Sequence, residues 1–386
     1  MTFIHHMPTK LFFGRGELSR LSTEPLPGQK ALIVMSAGGS MTRQGYLQKV
    51  TAALDIQQTP FVIFDKIQPN PTLQSVRDGS ALAKTEGCDF VIGLGGGSSI
   101  DAAKSIAVMM TNPGDYWDYI SGGSGKERPL AVPAAPMIAI TTTAGTGTES
   151  DPWTVVTKEE TGEKIGFGHE STYPYFSIID SSLMDTVPPH LTAFQGFDAL
   201  FHSTEGYISN KASAMSDLYS SKAIELVGCY LPRAVADGSD AEARDGVALA
   251  NTLSGFVESI SSCTSEHAIE HAMSGFFPAL PHGAGLIMIS LEYYKMFGPP
   301  QEGCERLSDM AKLLSGGISD DFVATLTKLQ SDCGVDNLKM SDYGIKIVDA
   351  KKIALHSFDT MGGLYENDRR ILSADDVAGI IERSYK

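Results

Sequence analysis

A chain of 386 residues exceeds what one hydrophobic core usually serves, so two domains are the first expectation. With 42% apolar and 20% charged residues it reads as an ordinary globular protein, and a formal net charge of −16 sets aside a nucleic-acid or anionic-membrane partner. No apolar run reaches the roughly 18–20 residues of a membrane span, the opening MTFIHHMPTKLFFGRG lacks a basic segment before an apolar core, and Cys88, Cys229, Cys263, Cys304 and Cys333 follow no CxxC spacing, a pattern that suits a reducing cytoplasm.

Along the chain, short β-branched or apolar runs alternate with helical patterns as far as about residue 186. Lys30 to Ser36 (KALIVMS), Pro60 to Ile67 (PFVIFDKI), Cys88 to Gly95 (CDFVIGLG), Met137 to Thr143 (MIAITTT) and Tyr175 to Asp180 (YFSIID) read as strands. Helix-like stretches such as MTRQGYLQKVTAALD and IDAAKSIAVMM lie between them. That alternation predicts an α/β half, residues 1–186, with parallel strands and crossover helices on both faces. Ligands of such sheets bind at the carboxyl ends of the strands. From Pro188-Pro189 onward, segments of 3.6-residue period dominate and strand-like alternation almost disappears, so residues 187–386 read as an all-α half.

The strongest local signal of the first half is VIGLGGGSSIDAAKSIA. A strand ends near Leu94, Gly95, Gly96 and Gly97 follow, and a helix opens at Ser98-Ser99. Glycines let a backbone approach a phosphate, and a helix N-terminus offers unpaired N–H groups. The run is not GxGxxG, because Ser98 stands where the third glycine would be, and it lacks the ending of a P-loop. Alone it serves equally as a tight strand–helix turn. TTTAGTGTESDPWTVV adds a second thin loop of hydroxyls (Thr142, Thr143, Thr146, Thr148) after another strand, and the two together favour a nucleotide cleft.

In the helical half, FDALFHSTEGY places Asp198 and His202 four residues apart, hence on one helix face. SEHAIEHAMSG repeats the spacing with His267 and His271, and His282 follows in a Pro-His-Gly turn. A single histidine on such a face is commonly a core residue. Two pairs and a fifth candidate ligand suit a divalent first-row metal such as iron(II) or zinc, without need of the Cys263 sulfur.

Taken together, GLGGGSSIDAAKSIA, TTTAGTGTES, GFDALFHSTEGYIS, EHAIEHAMSGFFPALPHG and ENDRRILSADDV resemble, in order, the sequence blocks of the iron-containing (group III) alcohol dehydrogenase family. The resemblance covers essentially the whole chain. It implies a Rossmann-like dinucleotide domain followed by a helical metal-binding domain, usually assembled as a dimer or larger homo-oligomer. It implies Asp198, His202, His267 and His282 as ligands of Fe2+, with Zn2+ or another divalent metal as alternatives. It implies Gly96, Gly97 and Ser98 at the pyrophosphate, and Asn70, Thr142, Thr143, Thr146 and Lys164 elsewhere around the dinucleotide. The expected reaction is hydride transfer between NAD(P)(H) and a small alcohol or aldehyde. His271 stands beside the metal as a proton carrier, or alternatively as a residue orienting a ligand. Gly206 and Phe201 depart from the family's commoner Ala and Thr without touching a ligand, and Trp153 stands where relatives often carry smaller or polar residues, a change that predicts a narrower or more apolar substrate pocket.

Cofactor choice is read from MSAGGSMTRQG (Met35 to Gly45). NAD-preferring members commonly carry an Asp where this chain has Gly38, and the Gly38-Gly39-Ser40 run resembles that of NADP-using relatives. NADP(H) is therefore favoured over NAD(H), with Ser40 and Arg43 placed to receive a 2′-phosphate. The alternative reading is a metal- and dinucleotide-dependent lyase of the dehydroquinate-synthase-like type. Such enzymes bind a polyanion with several basic residues, and no Lys/Arg cluster accompanies these histidines.

Overall fold

The computed structural model describes residues 3–299 and 303–386. Their contacts form two compact units: residues 7–143 with 148–185, and residues 3–6 with 144–147 and 186–386.

The first unit is an α/β layer structure. Its elements are β1 (Lys10–Phe13), β2 (Ala31–Ser36), α1 (Ser40–Arg43), α2 (Tyr46–Ile56), β3 (Phe61–Ile67), α3 (Leu73–Glu86), β4 (Phe90–Gly95), α4 (Gly97–Thr111), β5 (Met137–Thr141), β6 (Trp153–Lys158), β7 (Glu163–Gly168) and β8 (Phe176–Ile179). Six strands form one parallel sheet in the order β1-β8-β5-β4-β2-β3, while β6 and β7 make a separate antiparallel hairpin. The inner strands β4, β5 and β8 are buried along their whole length and β2 along all but its last residue, because helices cover both faces and apolar side chains are needed on each. Gly93 in β4 lets α4 lie close, since a Cβ there would sit 3.1 Å from the Ile100 backbone. The single helix expected over Met41 to Asp55 is two, parted at Gly45, whose φ of +75° lies in the left-handed region that favours glycine.

The second unit is helical: α5 (Pro189–Ile208), α6 (Ala214–Ala236), α7 (Ala241–Ser261), α8 (Ser265–Phe276), α9 (His282–Lys295), α10 (Glu305–Leu314), α11 (Phe322–Asp332), α12 (Ala350–Tyr365) and α13 (Ala374–Ser384). Helix α5 is buried on every side along its last three turns, packed by α6, α7 and α9. Gly196 lets the Leu231 side chain of α6 press onto it. Gly206 does the same for Val257 and Ser261 of α7, so the alanine common at this position would overlap Val257. Among the described residues no helix is long and apolar enough to cross a membrane.

Two short segments read above as parts of the α/β half pack with the helices instead. Residues 3–6 bring His5 onto Tyr219 of α6, with Nε2 3.1 Å from the phenol oxygen. In residues 144–147, Gly145 abuts the Gln195 backbone. Gly147 donates its N–H to Asn251 Oδ1 at 2.8 Å and leaves no room for a Cβ against Gly255. Those glycines, read from the sequence as thinning a nucleotide loop, are required here by close approach to α5 and α7. Trp153 lies in the β6–β7 hairpin with its ring over Gly168.

Candidate active site

Helix α5 carries Asp198 and His202, α8 carries His267 and His271, and His282 is the first residue of α9 rather than part of a turn. The side chains converge. Around Asp198 Oδ1 lie His202 Nδ1 at 3.6 Å, His267 Nε2 at 3.6 Å and His282 Nε2 at 3.4 Å. These separations are longer than an ordinary N–H···O hydrogen bond. They match the edge of about 3.4 Å between donors that each stand roughly 2.1 Å from a tetrahedral metal. Asp198 Oδ1, His202 Nδ1 and His267 Nε2 are buried without a hydrogen-bond partner among the described residues, an expensive arrangement for polar atoms unless a cation sits among them. The donor set fits a divalent metal.

Two glutamates unremarked in the sequence complete this arrangement. Fully buried Glu205, on α5, binds His267 Nδ1, and fully buried Glu270, on α8, binds His282 Nδ1. Glu205 also accepts from the Thr264 N–H and hydroxyl at 2.8 and 2.9 Å, which fixes it. With Nδ1–H given to a carboxylate, each ring turns Nε2 and its lone pair toward Asp198. That is the carboxylate–imidazole–metal relay found behind metal-binding histidines. Both glutamates sit three residues after a histidine on the same helix (His202, His267), a spacing that was available in the sequence.

Electrostatics follow from burial and these neighbours. Burial pulls the His202 imidazole down to about 3, so it stays neutral with a lone pair to give. Burial opposes ionisation of Asp198, but the imidazoles of His202 and His282 outweigh it and hold the carboxyl well below its usual range. Burial likewise opposes a proton on His267, while Cys263 and Glu205 favour one strongly enough to raise its pKa well above the ordinary imidazole value. A cation at Nε2 competes directly with that proton.

His202 and His271 occupy the margins. Donor atoms of Asp198, His267 and His282 all lie within 4.8 Å of one another, whereas His202 forms a second such group with His267 and Cys263, and His271 a third with Glu270 and His282. The His271 ring centre is 5.4 Å from that of His282 and 6.3 Å from that of His267.

The Asn-Asp-Arg-Arg stretch clamps the ligand-bearing helices. Asn367 Nδ2 donates to Cys263 O at 2.7 Å, and Asp368 Oδ1 accepts from Ser265 N and the Tyr293 hydroxyl, each at 3.2 Å. Arg369 donates to the carbonyls of Ile208 and Ser209 at the end of α5, and Arg370 to that of Met296 at the end of α9. Cations at helix C-termini satisfy orphan carbonyls and the dipole together.

In the α/β unit, the loops named from the sequence line the carboxyl ends of adjacent strands. Gly38, Gly39 and Ser40 follow β2, Asn70 follows β3 with φ +55°, Gly96–Ser98 follow β4, and Thr142 and Thr143 follow β5. The Thr142 N–H donates to Gly95 O at 2.9 Å, and a Cβ on Gly96 would press on the Thr143 side chain at 2.9 Å. Helix α4 begins there, with Gly96 to Ser98 only half-buried, so its first N–H groups face an open turn that suits a pyrophosphate. Arg43 folds back to donate to Gly38 O at 2.6 Å. Lys164 is buried on β7, and Thr146 belongs to the helical unit.

Comparison with known proteins agrees over the whole length. The family model "Iron-containing alcohol dehydrogenase" matches residues 8–181, and "Fe-containing alcohol dehydrogenase family, C-terminal" matches residues 192–385. An NAD-dependent methanol dehydrogenase of Bacillus methanolicus is 30% identical over 98% of this chain and 98% of its own. An NADPH-dependent butanol dehydrogenase of Clostridium saccharobutylicum is 30% identical over 98% of this chain and 97% of its own. The crystal structure of an archaeal halo-thermophilic alcohol dehydrogenase from a Red Sea brine pool superposes with a TM-score of 0.95 at 33% identity, covering 100% of this chain and 99% of that one. The two family models together span nearly all of the chain, and the chain belongs to the iron-containing alcohol dehydrogenase family.

Proposed function

We propose that this oxidoreductase interconverts a small alcohol and its aldehyde with NADP(H) as preferred cofactor, and that Asp198, His202, His267 and His282 hold its divalent metal, iron(II) first and zinc as the alternative. The observation that carries the reading is the convergence of His202, His267 and His282 on Asp198 Oδ1, with Glu205 and Glu270 behind two of the rings. The metal would supply Lewis acidity, easing loss of the alcohol's proton and polarising the aldehyde carbonyl in reverse. The nicotinamide cofactor would supply the hydride acceptor or donor. The chain's own groups do the rest. Gly96, Gly97 and Ser98 offer backbone N–H groups to the pyrophosphate, with Asn70, Thr142, Thr143, Thr146 and Lys164 as further cofactor contacts. His271 takes the substrate proton on an imidazole nitrogen during oxidation and returns it during reduction. A His271→Ala enzyme is expected to keep its metal while its pH–rate profile changes. Loss of metal would make His271 a ligand, and an unchanged profile would leave it a packing residue.

The cofactor preference rests on Gly38. No carboxylate stands there to repel a 2′-phosphate, Ser40 opens α1, and the Arg43 guanidinium lies against the Gly38 carbonyl. The relatives include both an NAD-dependent and an NADPH-dependent enzyme, so the reading rests on this loop and not on family membership. A Cβ at Gly38 would meet nothing within 4 Å, so Gly38→Asp adds charge without crowding. The kcat/KM of the wild type is expected to favour NADPH, and Gly38→Asp to move the ratio toward NADH by tenfold or more, since about 1.4 kcal/mol of repulsion corresponds to a factor of ten. Equal values for the two cofactors in the wild type would refute the preference.

A further inference from the structure

The metal pocket has a donor that the four-ligand reading does not use. Cys263 lies between α7 and α8, buried, and its Sγ falls within 4.8 Å of one nitrogen each of His202 and His267. Both rings are more than nine-tenths buried, and each carries a nitrogen, His202 Nδ1 and His267 Nε2, with no hydrogen-bond partner among the described residues. His202 belongs to this sulfur-containing group while its Nδ1 also stands 3.6 Å from Asp198 Oδ1. His267 belongs to this group and to that of Asp198 and His282.

We propose that the pocket offers two overlapping metal positions, the oxygen–nitrogen position of Asp198, His202, His267 and His282, and a sulfur–nitrogen position at His202, Cys263 and His267 that takes thiophilic divalent cations such as Zn2+. This rests on the metal-binding reading above and adds its selectivity. Thiolate donors select zinc, while a carboxylate with imidazoles suits iron(II) equally well. A zinc ion with sulfur at about 2.3 Å and nitrogens at about 2.0 Å needs donor separations of roughly 3.5 Å. Gathering donors that lie within 4.8 Å therefore takes side-chain adjustments of an ångström or so. The segment holding the sulfur is anchored, since Asn367 Nδ2 grips the Cys263 carbonyl at 2.7 Å and Glu205 grips the Thr264 N–H at 2.8 Å. On ligation the thiol gives its proton to solvent and binds as thiolate. Because His202 and His267 are shared, the two positions exclude each other, and zinc at the sulfur position leaves Asp198 and His282 without a common cation.

The test is X-ray absorption at the metal edge of the full-length protein, loaded separately with Zn2+ and with Fe2+ under anaerobic conditions. The zinc protein is expected to show a sulfur scatterer at about 2.3 Å, and the iron protein a nitrogen–oxygen shell alone. Cys263→Ser should remove the sulfur shell and weaken zinc binding by at least the roughly tenfold cost of losing an outer-shell partner, leaving iron binding unchanged. A nitrogen–oxygen shell in the wild-type zinc protein, with metal bound stoichiometrically, would overturn the sulfur position while leaving the four-ligand reading intact. Failure of the wild type to retain either metal would overturn both. The wild-type spectra decide the matter even if the Cys263→Ser chain does not fold.

Discussion

His267→Ala is expected to lose bound metal and turnover together, and to lose more of both than any other single ligand replacement. His267 is the one donor common to the Asp198–His282 group and the His202–Cys263 group, so its loss takes a donor from both at once. Its removal also leaves Glu205 fully buried with its imidazole partner gone, and a buried carboxylate stripped of its partner is costly in its own right. Glu205→Gln and Glu270→Gln should behave differently. Both keep the shape of the second layer and lose its charge, so metal stays bound with affinity reduced by roughly 10–100-fold. Metal content by mass spectrometry after dialysis, read beside steady-state rates, separates the two classes. Full occupancy in His267→Ala would show that the helical cluster is not the metal site. Unchanged affinity in both glutamine variants would show that the buried carboxylates serve folding alone.

What was legible in the sequence followed from how strongly each position is constrained. Strands β2, β4, β5 and β8 could be read because sheet positions covered on both faces demand unbroken apolar runs. Strand β1 could not, since KLFF is four residues at the sheet's edge with exposed ends. The β6–β7 hairpin escaped as well, because its glycines (Gly166, Gly168) and charged ends resemble a loop. Asp198, His202, His267 and His271 could be singled out because four-residue spacing declares a shared helix face, and His282 because it follows them in a Pro-His-Gly stretch. Glu205 and Glu270 carry only the weaker signal of a three-residue spacing from His202 and His267, since the histidine each one orients comes from a different helix. Cys263 does not stand out in the sequence, because the carboxylate and imidazole donors suffice for a divalent metal without sulfur. Only the turn between α7 and α8 brings its sulfur to two histidines.

The residue after His282 is expected to be as sensitive as a ligand. Gly283 lies in the first turn of α9, where a Cβ would overlap the backbone carbonyl of Phe194 on α5 and sit 3.1 Å from its Cα. Backbone cannot swing aside as the end of a flexible side chain can, so Gly283→Ala must push the start of α9 away from α5. Overpacking of this kind costs about 1–3 kcal/mol. The displacement acts where it matters for the site, because α5 carries Asp198 and the first residue of α9 is His282, whose Nε2 stands 3.4 Å from Asp198 Oδ1. Gly283→Ala is therefore expected to melt at lower temperature and to bind metal more weakly. Gly363→Ala is the matched control, for a Cβ there would meet nothing within 4 Å on α12. It should be neutral or stabilising by up to about 1 kcal/mol through helix propensity, with metal affinity unchanged. If Gly283→Ala retained both melting temperature and metal affinity, close packing of α9 on α5 would not be what places His282, and the work of positioning would fall to Glu270 alone.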